Sequence, residues 1–177
     1  KSVPRLGLNA DGESVELEQS ADGPLIAQVF KTRIDSFVAK MSFLRLYSGT
    51  LSKDASVTDV RTGKHLKVGQ IYDQQGAAHD SVESAHAGDI VVLVKLDDLK
   101  VGDTIHNGEV GPVLPAIQFP EPMVALAVEP KSRADQTKIS GALHKIADEY
   151  QTFVVTRETQ TKKMVMRGMS ELRLQIV

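Results

Sequence analysis

Residues 24–51, PLIAQVFKTRIDSFVAKMSFLRLYSGTL, constrain the fold most. Two apolar runs, 25–30 and 41–47, flank a polar, charged segment, and Ser48-Gly49 closes the second. This spacing predicts a long β-hairpin. A hairpin with one wet face alternates apolar and polar residues. Here both faces are apolar: Ile26 and Phe30 oppose Leu25, Ala27 and Val29, and Leu44 and Leu46 oppose Phe43 and Tyr47. One face can fill a barrel, and the other then needs something to lie against.

The flanking chain supplies further strands. Residues 1–23 are polar and punctuated by Gly, Asp and Ser, a lead-in segment with one short edge strand at Val15-Glu16-Leu17. After the hairpin, 57–60 and 66–72 read as strands around the turn Arg61-Thr62-Gly63-Lys64. Residues 74–81 read as a polar loop. Ala87-Gly88-Asp89 turns the chain into valine-dense 90–96, a buried strand. Val101-Gly102-Asp103 turns it again into a short strand at Thr104-Ile105. Close-set short strands without a helical period predict an antiparallel β-barrel or sandwich, and apolar residues on both faces favour the barrel.

Four prolines fall within residues 111–122, where periodicity stops. Proline fixes φ and stiffens a spacer, so the domain boundary is placed near Ile117, giving domains 1–117 and 118–177. The second opens with a strand at 123–128. Ser132 followed by Asp135 is a helix N-cap signal. Ile139, Ala142, Leu143, Ile146, Ala147 and Tyr150 recur at helical spacing, which predicts an amphipathic helix over 133–150. A strand (152–157), a turn (158–162) and a strand (163–167) follow. This is the first part of a split βαβ, ferredoxin-like α+β domain, which would need one more helix and one more strand. In 170–177, Leu172, Leu174 and Ile176 alternate with Glu171, Arg173 and Gln175, a strand pattern. Yet Ser170 is a fair N-cap and the split βαβ plan asks for a helix. The pattern alone gives a strand.

The chain begins at Lys1 without a methionine and ends in a patterned segment, so a piece of a longer protein is expected. The 177 residues include no cysteine, which excludes disulfides and cysteine-based metal sites and fits a cytoplasmic setting. No apolar run has membrane-spanning length, and no signal-peptide pattern opens the chain. The net charge of −2 argues against a general polyelectrolyte binder, but it is uneven. Residues 1–117 carry 12 basic and 16 acidic groups, and residues 118–177 carry 9 and 7. Nucleic-acid contact would therefore depend on local patches.

No P-loop, GxGxxG, GxSxG or HExxH motif occurs, so no catalytic or nucleotide-binding constellation is expected. His65, His79, His86, His106 and His144 match no metal spacing, and Asp97-Asp98 reads as a solvated loop. The charges with a candidate role are Lys31, Arg33, Lys40 and Arg45 on or beside the hairpin, and Arg61, Lys64 and Lys67 around the next turn. Their chemistry suits phosphate contacts. Arg45 interrupts an apolar strand and needs a partner or an opening to solvent. Lys162, Lys163 and Arg167 fit either a phosphate or protein contact or a soluble sheet edge.

PLIAQVFKTR, FLRLYSGTL, AGDIV, VGDTI, FPEPMVALAVEPKSRADQTKISGAL and RGMSELRLQIV, taken in order, resemble the second and third domains of bacterial elongation factor G. The resemblance runs from about Pro24 to Val177 and is weak over 1–23. It implies a fragment of a translational GTPase that moves ribosomes in translocation. GTP and Mg²⁺ would bind a domain preceding Lys1, leaving no catalytic site, cofactor or metal in this piece. It also implies partners: small-subunit ribosomal RNA against the barrel, a small-subunit protein against the second domain, and the GTPase and outer domains of the same chain, with no membrane. Lys31, Arg33, Lys40, Arg45, Arg61 and Lys64 become candidate ribosomal RNA contacts. Glu171 and Arg173 become candidate relay residues between the nucleotide state and the outer domains. The resemblance also makes 170–177 the start of a helix.

The departures are specific. Where the family has GMGELHLEI, this chain has Ser170 for glycine, Arg173 for histidine and Gln175 for glutamate. The hairpin loop has Ser36-Phe37-Val38-Ala39 where the family has a Pro-Phe-Val-Gly-like run. These differences point to a divergent or second-copy factor. A ribosomal-protection or release/recycling-type GTPase with the same domains is the neighbouring alternative. A stand-alone β-barrel that binds a flavin-like cofactor, or a protein-interaction module, is the alternative of another class.

Overall fold

The computed structural model describes residues 5–9, 11–35, 39–76, 78–108, 112–130, 132–159 and 163–176; side chains at 39, 133, 134, 136, 137, 173 and 176 lie outside the description. The hairpin-loop residues Ser36, Phe37 and Val38, and Lys162, are also outside it. The chain divides into two compact units, Lys1–Ile117 and Gln118–Val177.

The first unit holds β1 (Arg5–Leu8), β2 (Ser14–Leu17), β3 (Ile26–Asp35), β4 (Ala39–Ser48), β5 (Thr50–Ser52), β6 (Ser56–Asp59), β7 (His65–Lys67), β8 (Ile71–Gln75), β9 (Ala78–Val82), β10 (Ser84–His86), β11 (Ile90–Val94) and β12 (Thr104–His106). Eight of these make one curled antiparallel sheet in the order β7-β6-β12-β3-β4-β11-β8-β9. The predicted hairpin, β3–β4, is its centre. The barrel takes the form of a half-barrel, because the edge strands β7 and β9 do not pair with each other. A ribbon of β5 and β10 brings Leu51 and Ala85 into the concave core beside Ala27, Val29, Leu44, Leu46, Val91 and Leu93.

Two sequence expectations are corrected here. Residues 74–81 are not a loop: β8 and β9 pair from Ile71↔Val82 to Gln75↔Ala78. The hairpin lies at the sheet edge and is mostly exposed, so it carries little apolar signal. The strand expected at 66–72 is two strands, β7 and β8, on opposite halves of the sheet.

The hairpin register has an irregularity that strict alternation misses. Val29 pairs with Leu44, but the next pair is Lys31↔Phe43, so Phe30 is an extra residue in a β-bulge. Without it, the parity that points Ala27 and Val29 inward would also point Lys31 and Arg33 inward. With it, buried Thr32 faces inward opposite Ser42, while Lys31 and Arg33 face outward with Phe43.

The convex side is partly covered by the unit's own lead-in. Asn9 Oδ1 accepts from the N–H groups of Asp11 and Glu13, closing the β1–β2 turn. Leu17 of β2 then packs with Ile26, Leu114 and Tyr47. The Gln28 amide donates to the carbonyls of Gly102 and Pro115. Farther along, Phe30 (39% exposed) and Ile90 (49% exposed) remain open to solvent.

Gly49 sits where the chain leaves β4 and is pressed against the start of the hairpin. It has φ +76°, and a Cβ there would lie 2.5 Å from Leu25 Cα and N. Both conditions require glycine.

The second unit contains β13 (Val124–Val128), α1 (Arg133–Glu149), β14 (Val154–Arg157), β15 (Met164–Gly168) and α2 (Glu171–Ile176). The sheet order is β13-β15-β14, all antiparallel. Ser132 caps α1, its Oγ accepting from the Asp135 N–H at 3.2 Å. Leu143 of α1, Phe153 and Leu174 of α2 form the core against one face of the sheet. In 170–177 the alternation pattern is overturned and the helix that the resemblance implied is present, as α2 over Glu171–Ile176. Its alternating leucines are not equivalent, since Leu174 is buried while Leu172 is 67% exposed. Burial of one leucine against Phe153 and Leu143, on a glycine that lets it close in, decides the helix; Gly168 has room for no Cβ beside Leu174 Cδ2.

Candidate nucleic-acid interface

The six candidate RNA-contact cations separate into two groups. Three are engaged within the first unit. Arg61, in the β6–β7 turn, holds Asp103 in a two-pronged bond, Nε–Oδ1 at 2.7 Å and Nη2–Oδ2 at 2.9 Å. Its Nη2 also donates to the Asp98 carbonyl. Buried Asp59 completes the cluster: Oδ1 accepts from the Arg61 N–H and Oδ2 from the Thr62 hydroxyl. The hydrogen bond to Asp103 raises the Arg61 pKa; burial opposes it, and the charges of Asp103, Asp59 and Asp98 add to it. Lys64 Nζ pairs with Asp98 at 3.0 Å. Lys40 is only 8% exposed, and its Nζ donates to the Asp97 carbonyl at 2.9 Å. The Asp97-Asp98 segment is thus tied to β4 through Lys40 and to the β6–β7 turn through Arg61 and Lys64.

The other three, Lys31, Arg33 and Arg45, stand exposed on the convex face of β3–β4, and none has an ion pair among the described residues. Lys31 Nζ lies 5.3 Å from the Phe43 ring centre, and the Phe30 ring is 6.4 Å from that of Phe43. Arg45 and Arg5 both approach Tyr47, at 5.8 and 5.2 Å. Arg45 therefore has its opening to solvent together with an aromatic neighbour. Tyr72 belongs to the same face, because Val92 pairs with both Tyr72 and Phe43. Cations spaced among rings can meet phosphates and bases together. The Phe30 bulge assembles this group. Its sequence signal is the doublet Val29-Phe30 followed by charged residues alternating around Thr32, which a parity count alone does not use.

In the second unit, Glu171 is exposed and accepts from Gln175 Nε2. The Arg173 side chain lies outside the described residues. Glu129 and Lys163 form an ion pair at the end of β13 and the start of β15. The hydrogen bond and charge of Lys163 hold the Glu129 carboxyl below its ordinary range. A groove of about 570 Å³ beside this pair is lined by His144, Arg157 and Met164. Among the described residues no His/Asp/Glu cluster could hold a metal ion, and no helix is long and apolar enough to cross a membrane.

A curled antiparallel half-barrel followed by a split βαβ unit is the two-domain arrangement of a translation-factor barrel and its neighbouring α+β domain. A family model described as elongation factor G domain 2 matches residues 24–108, and one described as elongation factor G, domain III, matches residues 119–177. Elongation factor G of Mycoplasma pneumoniae (strain ATCC 29342 / M129 / Subtype 1) is 36% identical over 167 residues, covering 94% of this chain. A crystal structure of a protein from Thermus thermophilus matches 88% of this chain with a TM-score of 0.77 and 30% identity. The chain spans 24% of the length of each of these two relatives. The chain belongs to the elongation factor G family, of which it carries domains 2 and III.

Proposed function

We propose that this chain is the ribosome-contacting barrel and relay domain of a translational GTPase that acts in translocation during protein synthesis in the cytoplasm. Small-subunit ribosomal RNA meets the convex β3–β4 face, and a small-subunit protein meets the second unit. Glu171 and Arg173 on α2 relay the nucleotide state, and GTP with Mg²⁺ binds a domain outside this chain. The chain itself carries out no catalysis. The observation that supports the reading most is the Phe30 bulge, which places Lys31, Arg33 and Arg45 on one exposed face with Phe43. By contrast, Lys40, Arg61 and Lys64 each make a bond within the first unit.

The test is co-sedimentation with bacterial small ribosomal subunits across a salt series. Each phosphate contact contributes about 0.7–0.9 to the slope of log affinity against log salt. Lys31→Gln combined with Arg45→Gln is expected to weaken binding about tenfold and to lower that slope, with the melting temperature unchanged. Unchanged binding with a lowered melting temperature would make both residues structural and sink the RNA-contact reading. Tight GTP binding by this chain would contradict the assignment of nucleotide chemistry elsewhere.

A further inference from the structure

We infer that the convex face of β8-β11-β4-β3 holds an unpaired RNA segment by stacking bases on Phe30, Phe43 and Tyr72; this rests on the ribosomal reading above and names the form of RNA that the face takes. The register lays a row across the four strands, Tyr72–Val92–Phe43–Lys31. Residues directly opposite on neighbouring strands point to the same side, about 4.8 Å apart along the hydrogen-bonding direction. Tyr72 and Phe43 thus stand two strands apart on either side of Val92, which is buried but lies outside the concave core cluster. Phe30, pushed out by the bulge, extends the row beyond Phe43.

Cations border both ends. Lys31, Arg33 and Arg45 flank the phenylalanines. Tyr72 lines an open groove of about 450 Å³ together with Lys67 and Lys95. Lys67 is shared with Asp54 at 3.5 Å. Phosphate binding alone would need no rings, and cations at both ends of an aromatic row suit a ligand that carries both negative charge and π-faces. Bases of a duplex are already stacked on one another, whereas splayed bases offer their π-faces to a sheet of this kind. The positive rim then follows the backbone.

The experiment measures binding of the 177-residue chain to a labelled single-stranded RNA of about 12 nucleotides and to the corresponding duplex, with small-subunit co-sedimentation in parallel. The single strand is expected to bind more tightly than the duplex. Phe30→Leu and Tyr72→Leu should each weaken single-strand binding about tenfold without changing its salt slope, whereas Lys31→Gln should lower the slope. The two aromatic variants lie on different strands, so misfolding of one leaves the other as the test. Equal binding of duplex, with Phe30→Leu and Tyr72→Leu silent, overturns stacking and leaves ribosome contact through phosphates intact. Binding of subunits but of neither RNA overturns it in favour of a ribosomal protein on this face. Binding of none of the three removes the ribosomal reading as well.

Discussion

Arg61 and Asp103 are joined by two parallel hydrogen bonds, 2.7 and 2.9 Å, that tie the β6–β7 turn to the loop entering β12. The same carboxylate accepts from the Lys100 N–H at 2.7 Å, and Asp59 lies 3.6 Å from the guanidinium. One arginine thus neutralises two almost fully buried carboxylates. Arg61→Ala should destabilise the first unit by about 1–3 kcal/mol, the cost of leaving a buried acceptor unsatisfied. The loss stays below that for a fully enclosed pair because Arg61 is 43% exposed and water screens it. Arg61→Lys keeps the charge and loses the fork, so it should recover only part of the loss. Denaturant unfolding checks both.

Gly49→Ala should cost about 2–4 kcal/mol, because positive φ and a backbone clash act together. The new Cβ would meet Leu25 backbone atoms, which cannot rotate away. The shift should appear as a lower melting temperature, with nuclear magnetic resonance perturbations centred on Leu25 and Ser20, whose carbonyl accepts from the Gly49 N–H.

Leu174→Ala should detach α2. Leu174 is the only described α2 side chain in the buried core of the second unit, where it meets Leu143 and Phe153. The expected loss is about 2–4 kcal/mol, with hydrogen exchange at 171–176 accelerating before that of β13–β15. A Leu172→Ala control should leave stability almost unchanged, since that side chain is exposed.

The Glu129–Lys163 pair gives a pH dependence of known sign. The Glu129 carboxyl titrates below its ordinary value of 4.5. A depressed carboxylate pKa contributes stability that is present above the unfolded value and is lost as pH falls through the folded one. Titration of Glu129 by nuclear magnetic resonance should therefore show a midpoint below 4.5 that moves back up in Lys163→Ala. An unchanged midpoint in that variant would show that the pair does not form in solution.

The amino-acid sequence by itself determined the strong periodic elements. The apolar runs of 25–30 and 41–47, apolar on both faces of the strands, set the central hairpin, and the Ser132 cap with Ile139, Leu143 and Ile146 on one helix face set α1. The tertiary structure decided the rest. It folded Glu171–Ile176 into a helix against the local alternation, since only packing distinguishes buried Leu174 from exposed Leu172. It paired the polar β8–β9 strands, whose signal is backbone hydrogen bonding rather than burial. It also sorted the cations: Lys40, Arg61 and Lys64 meet acceptors 34 to 57 residues away along the chain, a distance that no local pattern encodes. Lys31, Arg33 and Arg45 came together on one face because a single bulged residue, Phe30, reset the register between two strands.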